Sequence, residues 1–309
     1  MGAPMEEIRE GFKETELGLL PADWEVVKLE DIGEIITGNT PSKKNAEYWS
    51  KGEIDFIKPP DLQNRVISTF SEKISKQALK RARTVKEGSV LVSCIGIIGR
   101  VGFAQKLLAF NQQINAIVPN NSICNKFLFY VLQFQQNQIQ NLASFTTVPI
   151  VTKTKFAKVK IPLPPLSEQK KIAAVLSAAQ EAKEKTEVVI GATKALKKSM
   201  LKYLFTYGPV PLQDAQDVPL KETEIGPIPA DWEVAKLGND NLLLKTQYGL
   251  SLRGQKEGKY PILRMTNLVN GSISTSDLQF VNLDKNEFEK FKLEKGDIIF
   301  NRTNSFDLV

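Results

Sequence analysis

The chain repeats itself, and that constrains its architecture more than any other feature of the sequence. Residues 13–31 read KETELGLLPADWEVVKLED and residues 221–239 read KETEIGPIPADWEVAKLGN, identical at 13 of 19 positions at an offset of 208. The same offset relates VKEGSVLVS, from Val85, to LEKGDIIFN, from Leu293. Between them IKPPDLQNRVIST (57–69) aligns with LRMTNLVNGSIST (263–275) at an offset of 206. A chain of this kind is one module followed by the start of a second. By the offset Val309 corresponds to Val101, so the second copy is expected to stop short of the equivalent of Pro165 and to lack the later half of the module.

Within each copy a Pro-Ala-Asp turn precedes Trp24 or Trp232, and apolar alternation follows, so both indoles are expected to anchor the core of their module rather than touch a ligand. The rest of residues 24–110 reads as short strands broken by Gly, Pro and Asn: EVVKL, EIITG, IDFIK, GSVLVSCIG and RVGFA. Further on, QFQQNQIQN is expected to be the polar face of an amphipathic helix with Phe127, Val131 and Phe134 turned inward.

Between the modules lies the clearest helix. Pro162, Pro164 and Pro165 close the first module, Ser167 offers an N-cap and Glu168 suits the first turn. There is then no proline until Gly208-Pro209, the expected stop signal. Alternating steps of three and four pick out Ile172, Val175, Ala179, Ala182, Thr186, Val189, Thr193, Leu196, Met200 and Tyr203, none of them charged. That spacing is a coiled-coil seam, and a helix roughly 60 Å long needs another helix beside it. The predicted organisation is a first domain at 1–165, a spacer helix at 166–207, a linker at 208–223 and a partial second domain at 224–309.

Charge narrows the function. Net charge is +6, but residues 1–34 carry three Lys or Arg against ten Asp or Glu, whereas residues 35–165 carry 18 against 6. From Gly88 to Ser167 there is no acid in 80 residues, while Arg100, Lys106, Lys126, Lys153, Lys155, Lys158 and Lys160 all occur. Phosphate, hence nucleic acid, is the partner such a surface suits. Residues 111–141 add 14 Asn or Gln, and the NQQIN run is the better placed of them to read base edges.

Catalytic motifs are missing. The chain has no histidine and two cysteines, Cys94 and Cys124, which removes the His-dependent triads, zinc sites built on His and any disulfide framework. No phosphate-loop motif occurs, and Asp61 followed by Glu72-Lys73 lacks the spacing of a metal-nuclease site. A non-catalytic binding module is expected, with no cofactor and no metal. The acidic opening MGAPMEEIRE lacks the features of a signal peptide, Glu6 breaks the myristoylation pattern, and no apolar run spans a membrane, so a cytoplasmic protein is expected.

A repeated PADWE module that ends in IPLPPLSEQKKIAAVL and leads into a long helix resembles the specificity subunit of type I restriction-modification enzymes; the GNTPS loop (38–42) and the GRVG turn (99–102) also fit. The resemblance runs across the chain. It implies an α/β (α+β) target-recognition domain with a twisted, mostly antiparallel sheet, followed by a coiled-coil spacer helix. In that family two such domains each read half of a bipartite DNA site, and separate methylation and restriction subunits bind S-adenosylmethionine and ATP and carry the chemistry.

A full-length member has two complete domains and two helices. The shorter chain suggests two alternatives: an inactive or regulatory subunit that occupies the methylation subunit without specifying DNA, or a homodimer paired through residues 168–207 that reads a symmetric split site. Pairing is the expectation, because the uncharged seam would otherwise lie open. Lys43, Lys44, Lys58, Arg65, Arg100, Lys153 and Lys155 are expected to position phosphates of double-stranded DNA, and Thr37, Asn39, Thr40, Gln112, Gln113 and Asn115 to reach base edges. The spacer helix start and the exposed part of Phe134 are candidate docking surfaces for the methylation subunit.

Overall fold

A computed structural model describes residues 10–301 apart from 51, 69, 145–146, 239–245 and 270. The expectations for the opening segment around Glu6, for Asn239 and for the approach to Val309 fall outside these residues. The chain divides into two compact units, 1–199 and 200–309.

The first unit opens with a hairpin, β1 (Phe12–Thr15) and β2 (Gly18–Pro21), whose turn is tied by the Thr15 hydroxyl donating to Gly18 O at 2.7 Å. Then come β3 (Glu25–Lys28), a single turn α1 (Leu29–Ile32), β4 (Gly33–Thr37), β5 (Ile54–Ile57), β6 (Arg65–Val66), β7 (Glu72–Ile74) and β8 (Thr84–Val85). β9 (Val90–Ser93), β10 (Val101–Phe103), β11 (Leu108–Phe110) and β12 (Ile114–Pro119) complete the sheets. They are followed by α2 (Asn125–Phe134), α3 (Gln136–Asn141), α4 (Lys153–Ala157), β13 (Lys160–Leu163) and the long α5 (Leu166–Tyr207).

One sheet has the order β4-β12-β9-β10-β6 and the other β7-β5-β11-β8, with β10–β6 and β5–β11 the parallel pairs and the remaining neighbours antiparallel. A separate antiparallel pair, β3–β13, joins the beginning of the module to its end, Lys28 opposite Lys160. The mixed α/β, mostly antiparallel class expected from sequence is what forms.

The VLVS run of β9 is apolar throughout because it is covered on both faces. Side chains alternate along a strand. Val90 and Val92 join the core beneath the helices with Phe127, Leu128 and Phe129, whereas Leu91 points into the core shared by the two sheets with Ile57, Phe110 and Ile114. Each fully buried aliphatic side chain of this kind contributes about 1.5–3 kcal/mol. Two glycines of the GRVG turn are dictated by proximity: a Cβ on Gly99, at φ 87°, would lie 2.7 Å from Gln136, and one on Gly102 would lie 2.5 Å from Leu62.

Three sequence expectations need correction. Phe127 and Val131 are buried, but Phe134 is 82% exposed. It is the last residue of α2, the chain turns at Gln135 into α3, and Ile139 of α3 enters the core instead. Ser167 is not the N-cap, since α5 already begins at Leu166 and the carbonyl of Pro165 accepts from the N–H groups of Glu168 and Gln169. The tryptophans are not core residues. Trp24 is half-buried and donates its indole N–H to Glu168 at 3.0 Å, and Trp232 is 36% exposed.

The SEQ tripeptide fastens α5 to its module. Gln169, 1% exposed, accepts from Cys124 N at 2.7 Å and donates to Pro164 O at 2.8 Å and Ser122 O at 3.4 Å. One face of the helix then follows the module through Ala173, which is buried, and Ser177, which accepts from the Tyr130 hydroxyl. Within 181–199 only Glu184 is even partly covered. At 42 residues α5 is about 63 Å long, and Gly208, at φ 78°, ends it as expected.

The second unit reproduces the repeat. β14 (Leu220–Thr223) and β15 (Gly226–Pro229) form the opening hairpin with the same Thr-to-Gly carbonyl bond, Thr223 to Gly226 at 2.7 Å. β16 (Tyr260–Ile262) pairs with β19 (Gln279–Val281) as β5 does with β7, and the hairpin β17 (Leu268–Val269) and β18 (Ser272–Ile273) lies between them. α6 (Lys285–Phe291) follows. Residues 232–236 and 298–301 stay outside strands. Their counterparts β3 and β9 are held by β13 and by β10 and β12, for which the described residues of this unit contain no equivalent.

Candidate nucleic-acid interface

Strand direction brings the polar loops together. β4 ends at Thr37, opposite Asn115 near the start of β12, and Ile114 faces Ser93 at the end of β9, next to the turn into β10. In the second sheet β5 and β11 run to the same end, where β7 begins at Glu72 and β8 at Thr84. Gly38 N bonds Ile114 O and Asn39 N bonds Phe110 O, which stitches the two sheets at this rim. Gly38 makes that possible: a Cβ there would sit 2.2 Å from Asn111 O and 2.4 Å from Phe110 O.

The rim is a hydrogen-bonded series of loops. Thr37 donates to Asn115 Oδ1 at 2.7 Å, and Arg83 Nη1 donates to Thr37 O at 2.7 Å. Asn39 spends its whole carboxamide on the neighbouring loop, donating to Arg81 O and accepting from Arg83 N, both at 2.6 Å. Thr40 donates to Gln112 Oε1 at 2.7 Å, and Asn111 donates to Gln113 Oε1 at 2.8 Å. Gln113 O accepts from Cys94 N, and Cys94 O accepts from Val151 N, so the segment 147–152 joins the same edge.

The expected residues divide by placement. Thr40, Lys44, Gln112 and Lys153 are exposed, and Asn39, Arg100 and Gln113 are half-buried. Asn115 is 2% exposed and serves as the seat of Thr37. Lys155 is turned back on Leu142 O and Ser144 Oγ, and Arg65, on the edge strand β6, lines a polar cleft with Glu184 and Glu187 of α5. Lys43 and Lys58 both bind Glu72, at 2.7 and 2.5 Å, and the Lys43 ammonium lies 3.6 Å from the centre of the Trp49 ring.

Burial would raise the pKa of Glu72, but hydrogen bonds from Lys43 and Lys58 outweigh it and hold the carboxyl below its ordinary range. Asp61 accepts from Lys58 N at 2.8 Å and Ser71 Oγ at 3.3 Å. Among the described residues no three His, Cys, Asp or Glu side chains gather to hold a metal. Burial pushes the Cys94 thiol up to about 12, with Asn115 opposing.

Sequence reasoning missed Lys80, Arg81 and Arg83, which the loop before β8 exposes at the rim beside Asn39. The signal is the KRAR run at 80–83, the densest basic tract in the module, which lies just before the acid-free stretch.

Residues 21–189 match the family model described as "Type I restriction modification DNA specificity domain". The chain is 32% identical over 306 residues to the type I restriction enzyme MjaIX specificity subunit of Methanocaldococcus jannaschii, covering 94% of this chain and 69% of that one. It is 33% identical over 184 residues to the HindI specificity subunit of Haemophilus influenzae, covering 55% of this chain and 40% of that one. A crystal structure of the HsdS subunit from Thermoanaerobacter tengcongensis matches with a TM-score of 0.46 at 24% identity, over 64% of this chain and 48% of that chain. The chain belongs to the family of type I restriction-modification DNA specificity subunits. Among the described residues no helix is long and apolar enough to cross a membrane.

Proposed function

We propose that this chain is the non-catalytic, DNA-reading subunit of a cytoplasmic type I complex, directing separate methylation and restriction subunits to a bipartite site. The observation that carries it is the convergence of the GNTPS, KRAR and NQQIN loops on one rim of both sheets. Lys44, Lys80, Arg81, Arg83, Arg100 and Lys153 hold phosphates there, with Thr40, Gln112 and Gln113 at base edges and Thr37, Asn39 and Asn115 fixing their loops.

The chain acts as a homodimer through α5, each copy supplying one recognition domain at 1–165, with the helix at 166–207 setting their separation and the linker 208–223 leading to the second copy of the repeat at 224–309. Ile172, at the start of the seam, packs against the core of its own module, but beyond it Val175 is 70% exposed and Val189 63% exposed. Thr186 and Thr193 bond their hydroxyls back to Ala182 O and Val189 O, both at 2.8 Å, which leaves their methyl groups for a partner helix. The first turns of α5 and Phe134 are where the methylation subunit docks.

The test mixes the chain with the methylation subunit of the same source and follows transfer of labelled methyl groups from S-adenosylmethionine to a varied duplex pool. Incorporation that needs both components, falls at a split symmetric site and disappears with Val189→Glu is the expected result. Stable association without incorporation would sink this reading in favour of a regulatory subunit that occupies its partner without specifying DNA.

A further inference from the structure

Both modules hold a rim cation in the same way. In the first, Lys58 follows β5, its backbone N–H is capped by Asp61 at 2.8 Å, and its ammonium is held by Glu72 at the entry of β7. In the second, Arg264 follows β16, its N–H is capped by Asn267 at 2.9 Å, and its guanidinium is held by Asp277, two residues before β19, at 2.7 Å. The residue types differ in every position, yet the cation, the cap and the carboxylate recur at the repeat offset of 206, with the acid displaced along the chain. In the first module Glu72 takes a second cation as well, Lys43, whose other face lies on Trp49.

Nothing in the core requires this arrangement. The side chains of Lys43, Lys58 and Glu72 are 55%, 31% and 29% exposed, so each head group could be hydrated instead. A carboxylate that gathers two ammonium groups at a surface suited to phosphates occupies the place a phosphate would take. Random-sequence DNA offers the same phosphates as a cognate site and differs only in base contacts. Cations already neutralised within the protein add little to random-sequence binding, and are released only where base contacts hold the duplex against the rim.

We propose that Glu72 is a specificity-determining residue, an internal counter-ion that withholds Lys43 and Lys58 from the phosphates of non-target DNA, with Asp277 doing the same to Arg264 in the second module. This rests on the DNA-binding reading of the rim. The test measures binding of a random-sequence duplex by the intact chain from 50 to 200 mM salt, for wild type and Glu72→Gln. Two released lysines steepen the log–log salt slope by about 1.8, so the affinity lost across that range grows roughly 12-fold. Asp277→Asn, at an exposed carboxylate, is the independent variant and steepens the slope by about 0.9.

The gain from Glu72→Gln must vanish when Lys43→Gln and Lys58→Gln are present. A gain that persists without those lysines reports general charge repulsion and overturns the proposal. So does an unchanged slope in both acid variants, or a change confined to preference for one base pair, which would make Glu72 a reader. Failure of the wild-type chain to bind any duplex is a different result, and removes the DNA reading itself.

Discussion

Replacing Gln169 with alanine should detach the start of the spacer helix from the module it extends. The carboxamide is 1% exposed and makes three hydrogen bonds, to Cys124 N, Pro164 O and Ser122 O, the last the longest at 3.4 Å. Truncation strands one amide donor and one buried carbonyl, each costing about 1–3 kcal/mol. Because the Cys124 amide is only part-buried and water can reach it, about 3 kcal/mol is expected for the whole change. For a unit of this size that lowers the unfolding midpoint by about 6–12 °C.

Amide hydrogen exchange reads the same quantity locally, since the Cys124 N–H should exchange about 150-fold faster at 3 kcal/mol. Gln180→Ala is the control, because among the described residues the Gln180 side chain bonds Glu184 of its own helix. A Cys124 amide whose exchange moves less than about threefold, or a midpoint shift no larger than that of Gln180→Ala, would refute the claim that Gln169 is the fastener.

Further outcomes follow from single contacts. Gly38→Ala should cost several kcal/mol, because its Cβ would stand 2.2 Å from Asn111 O; thermal unfolding and DNA binding should fail together. With its thiol pushed up to about 12, Cys94 stays protonated at pH 8, so a thiol reagent on the folded chain should label Cys124 and spare Cys94, as peptide mass spectrometry would show. The folded-state pKa of Glu72 is depressed, so the stability it contributes is present above its unfolded value and is lost as pH falls through the folded one. Carboxyl NMR should accordingly place its midpoint below the ordinary range of a glutamate, and a midpoint above that range would contradict the paired geometry.

The repeat was the most legible part of the fold, since an offset of 208 places each opening hairpin and an offset of 206 places each capped cation. Strand positions were legible where both faces are buried, as in β9, because a continuous apolar run leaves few alternatives. What the chain hid was anything settled by distant partners. Trp24 reads as a core residue until Glu168 lies beside it, and Phe134 has the right helical spacing for burial but sits where α2 ends.

The candidate interface shows the same division. GNTPS and NQQIN were readable as polar loops, but their meeting at one rim depends on strand directions that no local pattern states. The KRAR run is plain in the sequence but its place beside Asn39 is not, whereas Asn115 reads as a base contact and is buried by a sheet register fixed elsewhere. Asp61 and Glu72-Lys73 lack the spacing of a metal site, and the two acids are engaged by lysines, a backbone N–H and a serine.

The central claim is that one rim of the first module meets DNA. Its most direct measurement is the salt dependence of duplex binding for three single charge removals: Lys44→Gln and Arg81→Gln at the rim, and Lys126→Gln at the start of α2, beyond the opposite end of β12. All three residues are exposed and lose the same charge. The rim variants should each reduce the slope by about 0.9 and Lys126→Gln should leave it unchanged. A slope reduced by Lys126→Gln but not by the rim variants would place the DNA on another face of the module and contradict the account.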